Sequence, residues 1–257
     1  MRRRTALLFT CLFTGILTAA ALFLAGDPTP AQSQSILVGA AVSLQPALTE
    51  IDALFKAAHP DIQIEYNFAN SGFIQQQVEQ GAPVDVVFLA AASFMNSLEE
   101  QNLLVAGSRR DLLSNRMALI VPADSDATIE DFAGLTADEI QILSIGDLQA
   151  MPAGRYAEEI LTEVGVFEEL RPKMVFASTV REILTAVEQG NADAGILFTS
   201  DAQLSDQVRV VATADPLTPI VYPAALVRDT PAARAYLEFL TTEEAEAVFL
   251  EYGFIRL

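Results

Sequence analysis

The chain has 257 residues, 51% of them hydrophobic and 19% charged, a composition that excludes a disordered polymer and fits a folded protein. Fifteen Lys and Arg against 34 Asp and Glu give a formal charge of -19, which argues against a basic surface for nucleic acid or anionic lipid. One Cys and one His exclude Cys/His zinc sites and disulfide frameworks, which need more such residues than this chain has, and leave Cys11 and His59 as the sole possible Cys-His pair.

Arg2, Arg3 and Arg4 precede an apolar run over 6–25, followed by Asp27, Pro28, Pro30 and Ala31-Gln32-Ser33. This is the layout of a secretory signal peptide over 1–31, with cleavage near Ala31. The run is also long enough to cross a bilayer, so an uncleaved N-terminal anchor is the alternative. Cys11 lies in the middle of the run, not at its end where a lipid-modified cysteine must sit. Thr5-Ala6-Leu7 after the arginines gives only weak support to twin-arginine export. Removal of 1–31 takes away the one thiol and three cations, leaving a still more acidic protein expected in the periplasm.

Beyond this segment, apolar and β-branched runs alternate with stretches of helical period, the pattern of an α/β protein with mainly parallel sheets and helices on both faces. Strands are predicted at 36–41, 62–68, 84–90, 117–121, 140–145, 174–177, 194–198, 208–212 and 220–227. Between the first two, Leu44, Leu48, Ile51, Leu54 and Phe55 form one helical stripe that ends near His59-Pro60. Further helices are predicted at 72–80, 93–101, 231–240 and 243–252, with no strand after the last. No repeat and no long linker separates two halves. The pattern changes at 114–120 and 218–224, so a domain over 118–220 is expected to be inserted into one made of 35–117 and 221–257.

The strand-to-helix junctions carry the chemistry. Ser43 and Ser71 stand where helix N-caps are expected. Pro152 is expected at the first position of a third helix, and Thr179 with Glu182 has capping-box spacing at a fourth. Helix starts offer free N-H groups and the positive end of a dipole, so neutral donors alone can hold an anion there. Ser and Thr at such places also simply cap, competing for the same donors, and composition does not decide between the two.

Ala40-Ala41-Val42-Ser43-Leu44, Ser71-Gly72-Phe73-Ile74-Gln75-Gln76-Gln77-Val78 and Gly81-Ala82-Pro83-Val84-Asp85 resemble the molybdate-binding proteins of ABC importers. So do Pro152-Ala153-Gly154-Arg155-Tyr156-Ala157, Gly195-Ile196-Leu197-Phe198-Thr199-Ser200-Asp201-Ala202, Tyr222-Pro223 and Tyr252-Gly253-Phe254. The resemblance implies a two-lobe periplasmic binding protein type II fold that closes on one oxyanion, molybdate or tungstate. It implies delivery to a membrane permease, a monomer, no cofactor, and no molybdenum other than in the bound anion. It also implies that Ser43 and Ser71 donate through hydroxyl and backbone N-H, and Ala153 and Val180 through backbone N-H. The family's fifth ligand is a tyrosine hydroxyl, whose position is taken here by Phe198. A phenyl ring cannot donate, so the site works with one donor fewer, or Thr199, Ser200 or a water replaces it.

Other readings are a receptor for sulfate or phosphate, a ferric-ion receptor, and a secreted hydrolase with Ser43 or Ser71 as nucleophile. Iron is disfavoured because the five tyrosines form no visible pair. The hydrolase needs a base, and His59 at a helix end is the sole histidine.

Overall fold

β-Branched runs in the first third of the chain form three parallel strands, β1 (Gln34–Ala41), β2 (Ile62–Ala69) and β3 (Val86–Phe88), with β1 between the other two. The computed structural model describes residues 34–257, so the signal peptide read over 1–31 lies outside the described residues. A 3-10 turn over Val42–Leu44 and α1 (Gln45–Ala58) join β1 to β2, and α2 (Ser71–Glu79) joins β2 to β3. α3 (Ala92–Glu100) and β4 (Arg110–Ser114) follow, and Asn115 and Arg116 lead the chain into β5 (Met117–Pro122) of a second sheet.

That sheet is built by β6 (Leu143–Gly146), α4 (Pro152–Val164), the single turn α5 (Phe167–Leu170), β7 (Met174–Ala177), α6 (Val180–Glu188) and β8 (Ala194–Phe198). The short α7 (Thr199–Ala202) and β9 (Val208–Ala214) complete it. Residues 215–220 carry the chain back to β10 (Val221–Leu226), then α8 (Pro231–Phe239), α9 (Glu243–Glu251) and β11 (Ile255–Arg256).

The sheet orders are β2-β1-β3-β10-β4-β11 and β7-β6-β8-β5-β9. In each, the three strands linked through helices are parallel, and the strand arriving from the other sheet pairs antiparallel to the third. Strand direction is therefore mixed: crossover helices return the chain for parallel pairing, whereas β5 and β10 enter from the opposite side.

Burial follows the sequence pattern. α1 buries Ala47, Leu48, Ile51 and Phe55, while Leu54, expected on the same stripe, is 38% exposed. β8 is buried at every position, as a central strand covered on both faces requires. Each large aliphatic side chain fully removed from water in this core contributes about 1.5 to 3 kcal/mol.

Some predicted elements shift for identifiable reasons. The strand expected at 84–90 shortens because the carboxylate of Asp85 accepts the Leu37 N-H at 2.8 Å and pairs with Arg228 at 2.8 Å, anchoring the strand entry through a side chain. The strand expected at 140–145 starts late because Asp193 accepts the N-H groups of Gln141 and Ile142, each at 2.8 Å. β4 was not expected, and β11 contradicts the expectation that no strand follows the last helix. β11 has two residues and pairs with β4.

Candidate functional site

The parallel strands of both sheets end in helix starts. Asn70, not Ser71, caps α2, its Oδ1 accepting the Phe73 N-H at 2.7 Å. Ser71 is the first helical residue, and its hydroxyl accepts the Ala90 N-H at 3.0 Å. Ser43 lies within the 3-10 turn, and neither that turn nor α1 has a side-chain cap. The expected capping role of the two serines is thus corrected: Asn and Ser are near-equal caps, and Asn70 took the place one residue earlier. Thr179 does cap α6, accepting the Glu182 N-H at 3.2 Å, while Glu182 reaches back to the Ser178 N-H at 2.8 Å. Pro152 opens α4 as expected.

Ser71 therefore accepts from an amide and keeps its own hydroxyl hydrogen free. Its N-H and those of Ala153 and Val180 fall in the first turn of a helix, where no intrahelical acceptor exists. The loop before α4 is shaped by Asp147, which accepts the N-H groups of Gln149 and Ala150 at 2.8 Å each.

Ser43, Ser71, Ala153, Val180 and Phe198 line one cavity, with Asn70, Ala90, Met151 and Thr179 among the other wall residues. The space it leaves for the centres of water molecules is about 20 Å³, so it is a small site suited to a compact ligand. Among the described residues, no charged side chain lines it. The N-terminal ends of α2, α4 and α6 supply the positive potential instead.

The two sheets contribute opposite walls, and backbone and side-chain hydrogen bonds join the two halves. Gly72 N-H donates to Ala150 C=O at 3.1 Å, and Asn70 Nδ2 to Ser178 C=O at 3.3 Å. Arg155 donates to Ser93 Oγ at 3.1 Å and lies over the Phe94 ring. A side chain at Gly72 would bring a Cβ within 2.7 Å of the Ala150 carbonyl oxygen, so only glycine allows this approach. Gly154 has the same function inside the second sheet's half, where a Cβ would strike the carbonyls of Gly146 and Asp147.

Phe198 is buried, in edge contact with Tyr156 at 6.3 Å and Tyr222 at 5.7 Å between ring centroids. Thr199 and Ser200 are turned away from the cavity: Thr199 Oγ1 donates to Asn115 Oδ1 at 2.7 Å, and Ser200 Oγ accepts from Asn115 Nδ2 at 2.8 Å. Asp201 is 2% exposed, its Oδ2 has no hydrogen-bond partner among the described residues, and burial pushes its carboxyl up to about 7, partly offset by Arg181. Tyr222-Pro223 was noted in the sequence without a role, and Asn115 carried no signal at all.

Neither rival chemistry finds its parts around this cavity. His59 stacks on Phe55 at the far end of α1, not beside Ser43. Two tyrosines do pair, contrary to the sequence reading: the hydroxyls of Tyr66 and Tyr236 are 3.0 Å apart. They join β2 to α8 and do not line the cavity.

The profile of a family described as bacterial extracellular solute-binding protein matches residues 36–255. The molybdate-binding protein ModA of Haemophilus influenzae is 34% identical, over 87% of this chain and 91% of its own length. ModA of Escherichia coli is 33% identical, over 95% and 96%. A solved chain described as the substrate-binding domain of a molybdenum ABC transporter from Clostridium difficile superimposes with a TM-score of 0.69 at 35% identity, covering 88% of this chain and all of that one.

Proposed function

The chain belongs to the bacterial extracellular solute-binding protein family, whose members serve ABC transporters and are not enzymes, and from that premise we propose that it captures molybdate, and tungstate with it. The anion is held between two lobes, 35–117 with 221–257 and 118–220, and passed to the membrane permease of an ABC importer. Residues 1–31 direct export to the periplasm, where the protein acts as a monomer.

One observation carries the reading: Ser43, Ser71, Ala153, Val180 and Phe198, far apart in sequence, line a single uncharged cavity. Hydroxyl and main-chain donors from Ser43 and Ser71 face main-chain donors of Ala153 and Val180. A hydrogen bond to a charged ligand contributes about 1.5 to 3 kcal/mol, so a dianion touched from both sides gains most of its binding energy only when the lobes are together. Closure then reports occupancy to the permease. Sulfate has the same charge and shape, so selection rests on size: fixed helix starts do not contract around the smaller ion.

Calorimetric titration of the exported protein with molybdate, tungstate, sulfate and phosphate tests the proposal. One-to-one binding of the first two, with far weaker response to the others, supports it. Silence toward molybdate and tungstate, or preference for sulfate or phosphate, overturns it.

A further inference from the structure

Behind the cavity wall, a chain of buried hydrogen bonds has a fixed direction. Asn115 Oδ1 accepts the Arg116 N-H at 2.8 Å, and a backbone amide can only donate, so the oxygen and nitrogen of this side-chain amide are assigned. Asn115 Nδ2 must then donate, to Ser200 Oγ at 2.8 Å and to Tyr222 Oη at 3.4 Å. Tyr222 is wholly buried, and burial raises its phenol well above the usual range, so the hydroxyl keeps its proton. Among the described residues its remaining neighbour within hydrogen-bond reach is Ser43 Oγ, at 3.4 Å.

If Tyr222 accepted from Ser43 as well as from Asn115, its own hydrogen would be buried without an acceptor, a cost of the order of a lost hydrogen bond. The arrangement without that cost has Asn115 donating to Tyr222 and Tyr222 donating to Ser43. Ser43 then accepts from behind and directs its own hydrogen into the cavity. Ser71 reaches the same state through the Ala90 amide.

We infer that Tyr222 and Asn115 are positioning residues that polarise the Ser43 hydroxyl so that it donates to the oxyanion. The inference rests on the function proposed above. Both residues sit where the chain passes between the sheets: Asn115 connects β4 to β5, and Tyr222 follows the return segment 215–220 in β10. Donor orientation at Ser43 is thereby tied to the geometry of the two crossings. In a site where Phe198 brings no hydroxyl, a serine already turned to donate retains one side-chain donor from that end of the cavity.

The test is a double-mutant cycle on molybdate affinity with Tyr222→Phe, Ser43→Ala and the pair, read by calorimetry. Tyr222→Phe keeps the ring packed between Phe198 at 5.7 Å and Phe254 at 5.2 Å, so the fold is retained. Tyr222→Phe is expected to weaken binding about tenfold and Ser43→Ala about tenfold or more. The pair should be no weaker than Ser43→Ala alone within about twofold, because Tyr222 acts only through that hydroxyl. Losses that multiply in the pair, or a Tyr222→Phe protein with unchanged affinity, overturn the positioning role while leaving the receptor intact. A wild-type protein that ignores molybdate overturns the receptor reading itself, and the positioning role with it.

Discussion

The two sheets share the order second strand, first, third, then a strand from the other half and one more, with β11 added at the edge of the first sheet alone, yet they furnish the cavity with different chemistry. The first sheet presents Ser43 and Ser71, each with a hydroxyl held from behind. At the matching strand ends the second sheet presents Ala153, Val180 and Phe198, with no side-chain donor among them, beside Thr179, whose hydroxyl caps α6. Shared topology places helix starts at the carboxyl ends of parallel strands, where open α/β sheets bind ligands, and leaves side-chain identity free to differ. One half of the cavity therefore depends on hydroxyls that can be removed one at a time, and the other mainly on a backbone that substitution alters only by moving it.

The largest effect is expected where the halves meet. Gly72→Ala puts a methyl group against the Ala150 carbonyl across the cleft, and no flexible side chain is there to yield. Molybdate affinity should fall by at least about 100-fold, with the melting temperature of the unliganded protein little changed, because on the proposed function the empty lobes stand apart and the clash arises when they close. Calorimetry together with thermal melts with and without molybdate separates the two quantities.

On the hydroxyl side, Ser71→Ala removes a proposed donor to the anion and leaves the Ala90 N-H without its acceptor. Affinity should drop about tenfold to 100-fold. On the backbone side, Phe198→Tyr would place a phenolic hydroxyl at this wall, and titration should record binding up to about tenfold tighter. No gain from that change would mean the wall at Phe198 does not face the anion.

The smallest effect concerns stability. Asp201 is pushed from an ordinary 3.8 up to about 7, chiefly by burial. Its folded value lies above its unfolded value, so the folded state holds the extra proton between those limits and stability falls as pH rises through that window. Asp201→Asn should remove this slope. Its melting temperature should exceed wild type by a few degrees at pH 8, and the two should converge near pH 4.

The same contrast explains what could be read in the sequence. The α/β alternation was legible because burial on one helix stripe or both faces of a strand leaves a periodic trace, as in α1 and β8. β4, with Arg110 and Asp111 exposed, and the two-residue β11 leave no such trace. Of the candidate cavity residues, Ser43 and Ser71 stand out at the strand-to-helix junctions, while Ala153, Val180 and Phe198 follow only from the family resemblance, and whether the serines cap or donate depends on Asn70 and on partners remote in the chain. Tyr222 and Ser43 are separated by 179 positions and Asn115 and Ser200 by 85, so no local pattern could join them.

The central claim is that one dianion sits between the two sheets on these helix starts. A crystal structure of the molybdate complex, with the molybdenum located by anomalous scattering, tests it most directly. The account predicts a single strong peak enclosed by Ser43, Ser71, Ala153 and Val180, with anion oxygens about 3 Å from their N-H and O-H groups. A peak outside this cavity, or one contacting residues of a single sheet only, would contradict it.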